Sequence, residues 1–269
     1  MVKIFGKVEN FDLEASKVVD ENCVTVCLLL KQCLLVFMDS DNHCRFFFFN
    51  NTERLTVSET EPEDGLAVAF KANISINPSF PSCPSYSDLN LTVTLPNGDE
   101  IIWKKEGNQW NFKKCVGDWK MFQRSDDLTV CIQTFNVTSP SMKNVEDARK
   151  SCNDLGGYKL IGVASYEELI WIKQKHDAAK YVGYAGYWVD GKREEISSGV
   201  NNTNFEFSDG LTVLNQSLYD EYAIISGTSQ NGKVEDCLNV CKPTGGMMND
   251  VECDGTPTGF GFVCGYQLI

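Results

Sequence analysis

At 269 residues the chain has the length of about two domains, each able to bury a core of its own. A formal net charge of -13 and a pI near 4.6 argue against nucleic acid and anionic membrane surfaces as partners, because both select for basic patches. Twelve cysteines, an even number, point to a disulfide framework in an oxidising compartment, although the count alone fixes no pairing.

In chain order, Lys3 to Val8 reads as an extended segment, followed by a helix starting near Asp20. Cys23 and Cys27, spaced i, i+4, place both thiols on one helix face. Cys33 to Met38 reads as a strand, Asp39 to Asn42 as a turn, and Cys44 to Phe49 as the returning strand. Leu91 to Leu95 alternates, Pro96-Asn97-Gly98-Asp99 turns, Ile101 to Lys105 alternates less cleanly, and Gly107-Asn108 turns into Trp110-Asn111-Phe112. A zinc knuckle of Cys23, Cys27, Cys33 and Cys44 with His43 is disfavoured, because their 3-, 5- and 10-residue gaps lack paired C-x2-C spacing.

These residues resemble the PAN module in its nematode CW form, over roughly Met1 to Lys113. The resemblance rests on the C-x3-C helix, the strand-entry cysteine and the second strand cysteine. It implies a helix-on-sheet domain over 1–113 with bridges Cys27–Cys33 and Cys23–Cys44.

The second unit starts at Cys115. A hairpin from Cys115 to Cys131 leads to a helix opened by Asn144 as N-cap, carrying Glu146 and Asp147 in its first turn and stopped at Gly156-Gly157. Ser165 and Glu168 form a capping box for a second helix, with Leu169, Trp171 and Ile172 available to pack. Then come Tyr187-Trp188-Val189-Asp190, Phe207-Ser208-Asp209-Gly210, a polar loop region, Glu235-Asp236-Cys237, Asn249-Asp250 ahead of Cys253, and Val263-Cys264.

Taken in that order, residues 115–269 resemble a long-form C-type lectin-like domain. The resemblance implies an overall α+β protein: a PAN-like domain, then a fold with two helices, antiparallel sheets, a long loop region and disulfide staples. The bridges it implies are Cys115–Cys131, Cys152–Cys264 and Cys237–Cys253. Cys83 and Cys241 are left over; a bridge stapling the two domains is a guess by elimination, and their pairing stays open.

Sugar-binding members of that family hold calcium with a Glu-Pro-Asn or Gln-Pro-Asp triplet, a later Glu, and an Asn-Asp pair. The resemblance places the later ligands at Glu235, Asn249 and Asp250. The triplet is replaced by a segment in which Thr228, Ser229 and Gln230 stand nearest, so Thr228 and Gln230 are the ligand-loop candidates. Calcium takes about six to eight oxygens, so any ion here is expected to be weakly held. Ser229 is expected to be trans, because a non-proline cis peptide costs about 3 kcal/mol. Met248 stands where the family has tryptophan. The competing reading makes Asn249 and Asp250 turn-and-cap residues and Glu235 a solvated acid.

Six acceptor sequons begin at Asn50, Asn73, Asn90, Asn136, Asn201 and Asn215. With the cysteines they imply a secreted glycoprotein, while Met1 to Lys7 holds no apolar core of signal-peptide length, so the signal is expected to lie outside this sequence. The densest apolar run, Leu28 to Met38, is broken by Lys31 and Gln32, and membrane insertion is not expected.

Only His43 and His176 are available for acid–base chemistry, and His176, late on its helix, reads as a surface residue. No phosphate-binding glycine loop, G-x-S-x-G or H-E-x-x-H is present, so the chain does not read as an enzyme. The resemblance implies a secreted recognition protein that binds glycans or glycoproteins, with a role in innate immunity. The alternative is a calcium-independent protein-binding module using the Gly199 to Lys233 face, or an adhesive scaffold on the same fold.

Overall fold

In the computed structural model Val2 and Val8 turn inward while Lys3 and Lys7 turn outward, the alternation of a half-buried strand. The structure describes residues 1–9, 11, 18–19, 22–41, 43–75, 90–96, 98–125, 127–137, 144–179, 185–193, 204–229, 232–241, 246–254 and 259–269. Asp20, Cys83, Asn201, Gln230 and the Asn90 side chain lie outside them. The chain divides into two compact units, Met1–Asp118 and Trp119–Ile269. Residues 114–118 thus run with the first unit: the Lys114 N–H donates to Glu53 O at 2.8 Å, continuing a strand ladder past Lys113. No helix among the described residues is long and apolar enough to cross a membrane.

The first unit contains β1 (Val2–Val8), β2 (Val18–Val19), α1 (Cys23–Leu29), β3 (Cys33–Met38), β4 (His43–Phe48), β5 (Arg54–Glu59) and β6 (Ala67–Phe70). Five more strands follow: β7 (Asn73–Ser75), β8 (Asn90–Thr94), β9 (Glu100–Ile102), β10 (Lys104–Glu106) and β11 (Gln109–Lys113). One sheet runs β10-β11-β5-β1-β6-β3-β4-β2 and a second runs β7-β8-β9. Disulfides Cys23–Cys44 and Cys27–Cys33 pin α1 to β3 and β4, with all four cysteines buried.

The irregular alternation of residues 101 to 105 has a structural cause. Trp103 separates β9 from β10, so the chain passes from the small sheet to the large one there. Its ring is buried at 4.5 Å from Phe70 and 5.2 Å from Phe112, and its Nε1 donates to Lys71 O at 3.2 Å.

The second unit contains β12 (Lys120–Ser125), β13 (Leu128–Asn136), α2 (Val145–Asp154), β14 (Lys159–Leu160), α3 (Tyr166–Ala178), β15 (Gly186–Arg193) and β16 (Phe205–Glu206). It continues with α4 (Gln216–Tyr222), β17 (Ala223–Ile224), β18 (Cys237–Val240), β19 (Met248–Val251) and β20 (Gly259–Gln267). Its sheet runs β12-β13-β20-β15-β18-β19-β17, with β14 on β20 and β16 on β15. Most pairings are antiparallel; β15 with β20 and β17 with β19 are parallel. The last strand therefore lies between the second strand of the unit and β15, which closes the unit on itself. The Cys152–Cys264 bridge ties α2 to that last strand, and Cys237–Cys253 closes the loop that carries β18 and β19. Cys115 and Cys131 are each disulfide-bonded. The α+β class with two capped helices and disulfide staples agrees with the sequence reading.

Both caps form. Asn144 Oδ1 accepts from Asp147 N at 2.8 Å and Ser165 Oγ accepts from Glu168 N at 3.2 Å. Glu168 does more than close a capping box: it is fully buried and takes a two-pronged ion pair from Arg124, Nε to Oε1 and Nη2 to Oε2, both 2.8 Å. His176 is a correction to the sequence reading. It shares the inward face of α3 with Leu169 and Ile172, is 0% exposed, and its Nε2 lies 2.8 Å from Ala185 O, so it is a core residue. Met248 is also fully buried and joins the core of Tyr187, Val189, Leu238 and Val240.

Candidate functional site

Leu238 and Asp250 face each other across β18 and β19. The strand periodicity that buries Met248 in the core also sends Asp250 inward two residues later. A buried carboxylate needs partners, and Asp250 has several. Arg193, at the end of β15, donates from Nη2 to Asp250 Oδ2 at 2.6 Å, with 4% and 0% of the two side chains exposed. The Ser226 N–H lies 3.0 Å from both Asp250 oxygens, and the Gly227 N–H donates to Oδ2 at 2.7 Å. The guanidinium also lies over the Phe205 ring, 5.2 Å from its centroid.

Asp250 thereby holds the base of a tight hairpin. Thr228 bridges Val234, the Ser229 N–H donates to Lys233 O at 2.8 Å, and the Glu235 N–H donates to Gly227 O at 3.1 Å. Gly227 supplies a left-handed φ of 72° at its base and Gly232 one of 74° at its turn. Thr228 is part of the hairpin ladder, and no peptide bond among the described residues is cis.

Glu235 and Asp250 come together through Ser226, whose Oγ donates to Glu235 Oε2 at 2.6 Å and sits 3.2 Å from Asp250 Oδ1. Burial raises the Glu235 carboxyl above its ordinary value, and the neighbouring carboxylates of Asp250 and Glu252 add to the rise, against the Ser226 hydrogen bond and the Arg193 charge. Asn249 does not join them: it is 7% exposed and its Nδ2 donates to Asp250 O at 2.5 Å. At the rim, Lys233 Nζ donates to Glu252 Oε2 at 3.0 Å.

A carboxylate offers about four lone-pair positions, and those of Asp250 face a guanidinium, two backbone N–H groups and a hydroxyl. Asn249 is buried and turned onto the backbone. This donor arrangement does not fit a calcium ion, which needs open oxygens from several residues at once. The residues that shape the site and that sequence reasoning missed are Arg193, Ser226 and Gly227. Their one signal is an acid on an otherwise apolar inward face, which demands a cation from elsewhere in the chain.

Of the sequon asparagines, Asn50, Asn73, Asn136 and Asn215 are exposed. Asn136 Oδ1 accepts from the Tyr187 hydroxyl at 2.6 Å, and Asn215 Oδ1 caps α4 at Leu218 N, 3.3 Å.

Residues 1–72 match the family described as a PAN-like domain, and β7 to β11 lie beyond that match. No curated protein matches the chain. Among solved structures, human lithostathine is similar over 57% of this chain and 91% of that chain, with 14% identity and a TM-score of 0.40. The mouse scavenger receptor C-type lectin carbohydrate-recognition domain is similar over 58% of this chain and 100% of that one, with 22% identity and a TM-score of 0.35. The SPL-1 complex with GlcNAc covers 56% and 94%, with 18% identity and a TM-score of 0.34.

Proposed function

We propose that the chain is a secreted, non-enzymatic recognition protein whose second unit is a C-type lectin-like domain that binds carbohydrate or glycoprotein without a calcium bridge. The observation that carries this reading is the buried Arg193–Asp250 pair, which supplies a resident cation where the family pattern places an ion ligand. With Asp250 enclosed and Asn249 buried, ligand hydroxyls are left to the rim. Glu235 and Glu252 accept hydrogen bonds there, and Lys233 donates. Disulfide-bonded cysteines in both units and exposed sequon asparagines support an oxidising, glycosylating compartment. A protein ligand on the same rim is the second reading.

The test is a glycan-array screen of the oxidised full chain, in calcium and again in chelator. Binding that survives chelation, and falls in Glu235→Ala, supports the proposal. Binding lost in chelator overturns the calcium-free mechanism, and absence of any glycan binding moves the ligand class to protein.

A further inference from the structure

The first unit contains a cavity that the reading above does not use. It lies against β4, has a volume of about 480 Å³, and is lined by Phe11, Arg45, Phe46, Phe47, Phe48, Asn51 and Thr52. Arg45 and Phe47 are two residues apart on β4 and so project to the same side of the sheet. Phe11 meets Phe47 edge-on, with ring centroids 5.0 Å apart. The Arg45 guanidinium lies over both rings, 6.0 Å from the Phe11 centroid and 5.5 Å from that of Phe47.

The state of that guanidinium is what points to a ligand. Its Nη1 is fully buried and has no hydrogen-bond partner among the described residues. Three other arginines of the chain, Arg124, Arg149 and Arg193, each reach a carboxylate at 2.8, 2.8 and 2.6 Å. In a chain with 37 acids against 24 bases, Arg45 rests on ring faces alone among the described residues. Aromatic faces offset part of the desolvation of a guanidinium, but they leave its fork of N–H donors unused. A carboxylate is the group that fork matches best, as two parallel charge-assisted hydrogen bonds.

We propose that this cavity binds a small amphiphilic carboxylate, its carboxylate on Arg45 and its apolar or aromatic body against Phe11 and Phe47. The volume falls within the range of small-molecule sites, about 300–1,000 Å³. The lining is mostly phenylalanine with a few polar groups, Arg45, Asn51 and Thr52, the usual composition of such a site. Phe47 and Thr52 are 4% exposed, while Phe11 is 39% exposed and Asn51 is exposed, so the cavity is open to solvent along part of its lining.

The experiment is isothermal titration of the oxidised full chain with 4-phenylbutyrate and, separately, with 4-phenylbutan-1-ol, which keeps the body and removes the charge. The carboxylate is expected to bind at least about tenfold more tightly than the alcohol, the factor a charge-assisted hydrogen bond supplies. Arg45→Met, which keeps the bulk of the side chain, is expected to bring the two ligands level, and Arg45→Lys to fall between. Melting curves and thiol counts establish that each variant is folded and oxidised. Should Arg45→Met fail to fold, the carboxylate-to-alcohol ratio on the unaltered chain still decides. Equal affinities, no heat from either ligand at several millimolar, or a folded Arg45→Met that binds the carboxylate as before would overturn the proposal.

Discussion

Arg193 and Asp250, 57 residues apart in sequence, meet at 2.6 Å with almost nothing of either side chain in contact with solvent. Removing one partner of such a pair strands a charge in low dielectric, a loss of about 3–5 kcal/mol. Arg193→Met should therefore destabilise the chain by that amount in urea unfolding. It should also release the 227–235 hairpin, whose base hangs on the same carboxylate. A loss below about 1 kcal/mol would mean that the pair is solvated in solution.

Glu235 gives a pH dependence of known sign. Burial and the nearby carboxylates raise its folded value above the ordinary 4.5. The native state thus holds this proton more tightly than the unfolded chain does. The contribution is fully present below 4.5 and is lost as pH rises through the folded value. Glu235→Gln keeps an acceptor for the Ser226 hydroxyl and removes the charge. The variant should melt above the unaltered chain at neutral pH, and the difference should close as pH falls to 4.5. Parallel melting curves from pH 4 to 8 test this, and a constant gap across that range would assign the effect to something other than ionisation.

What was legible in the sequence was mostly local. The Asn144 and Ser165 caps act over three residues, so a short window contains both partners. The α1 cysteines share a helix face for the same reason. The site was legible only in part, because its decisive contact is non-local: nothing near Lys192-Arg193 in the chain announces an acid on β19. His176 shows the converse. A charge-bearing residue near a helix end favours the surface, but its i, i+4 position from Ile172 placed it on the inward face and packing prevailed. The break at Trp103 was visible as irregular alternation, yet which sheet each half would join depended on the distant Phe70 and Phe112.

Arg124 uses all five of its donors. Besides Glu168, it reaches Leu211 O at 2.9 Å, Thr212 Oγ1 at 2.7 Å and Gly162 O at 2.8 Å. A lysine offers three donors from one point and cannot span these acceptors. Arg124→Lys should cost about 2–3 kcal/mol, and Arg124→Met about 3–5 kcal/mol, in equilibrium unfolding. The exposed Lys233–Glu252 pair is the internal control, since 69% of the Lys233 side chain faces solvent. Lys233→Met should cost no more than about 1 kcal/mol. Equal losses at the two arginine variants would show that charge without fork geometry contributes nothing at this site.

Cys241 is a free thiol, 0% exposed, and not the partner of Cys83 that elimination suggests. Burial pushes its pKa up to about 12, only weakly opposed by the Lys173 charge. Thiolate is the reactive form, so at pH 8 both the low thiolate fraction and the lack of access protect this residue. Iodoacetamide applied to the native chain for an hour should leave Cys241 unmodified, as read by peptide mass spectrometry. The same reagent in urea without reductant should label it fully, because unfolding removes both protections. Labelling in the native state would mean that the region around β18 opens readily. A residue unlabelled even in urea, and recovered as a disulfide-linked peptide with Cys83, would restore the bridge between them.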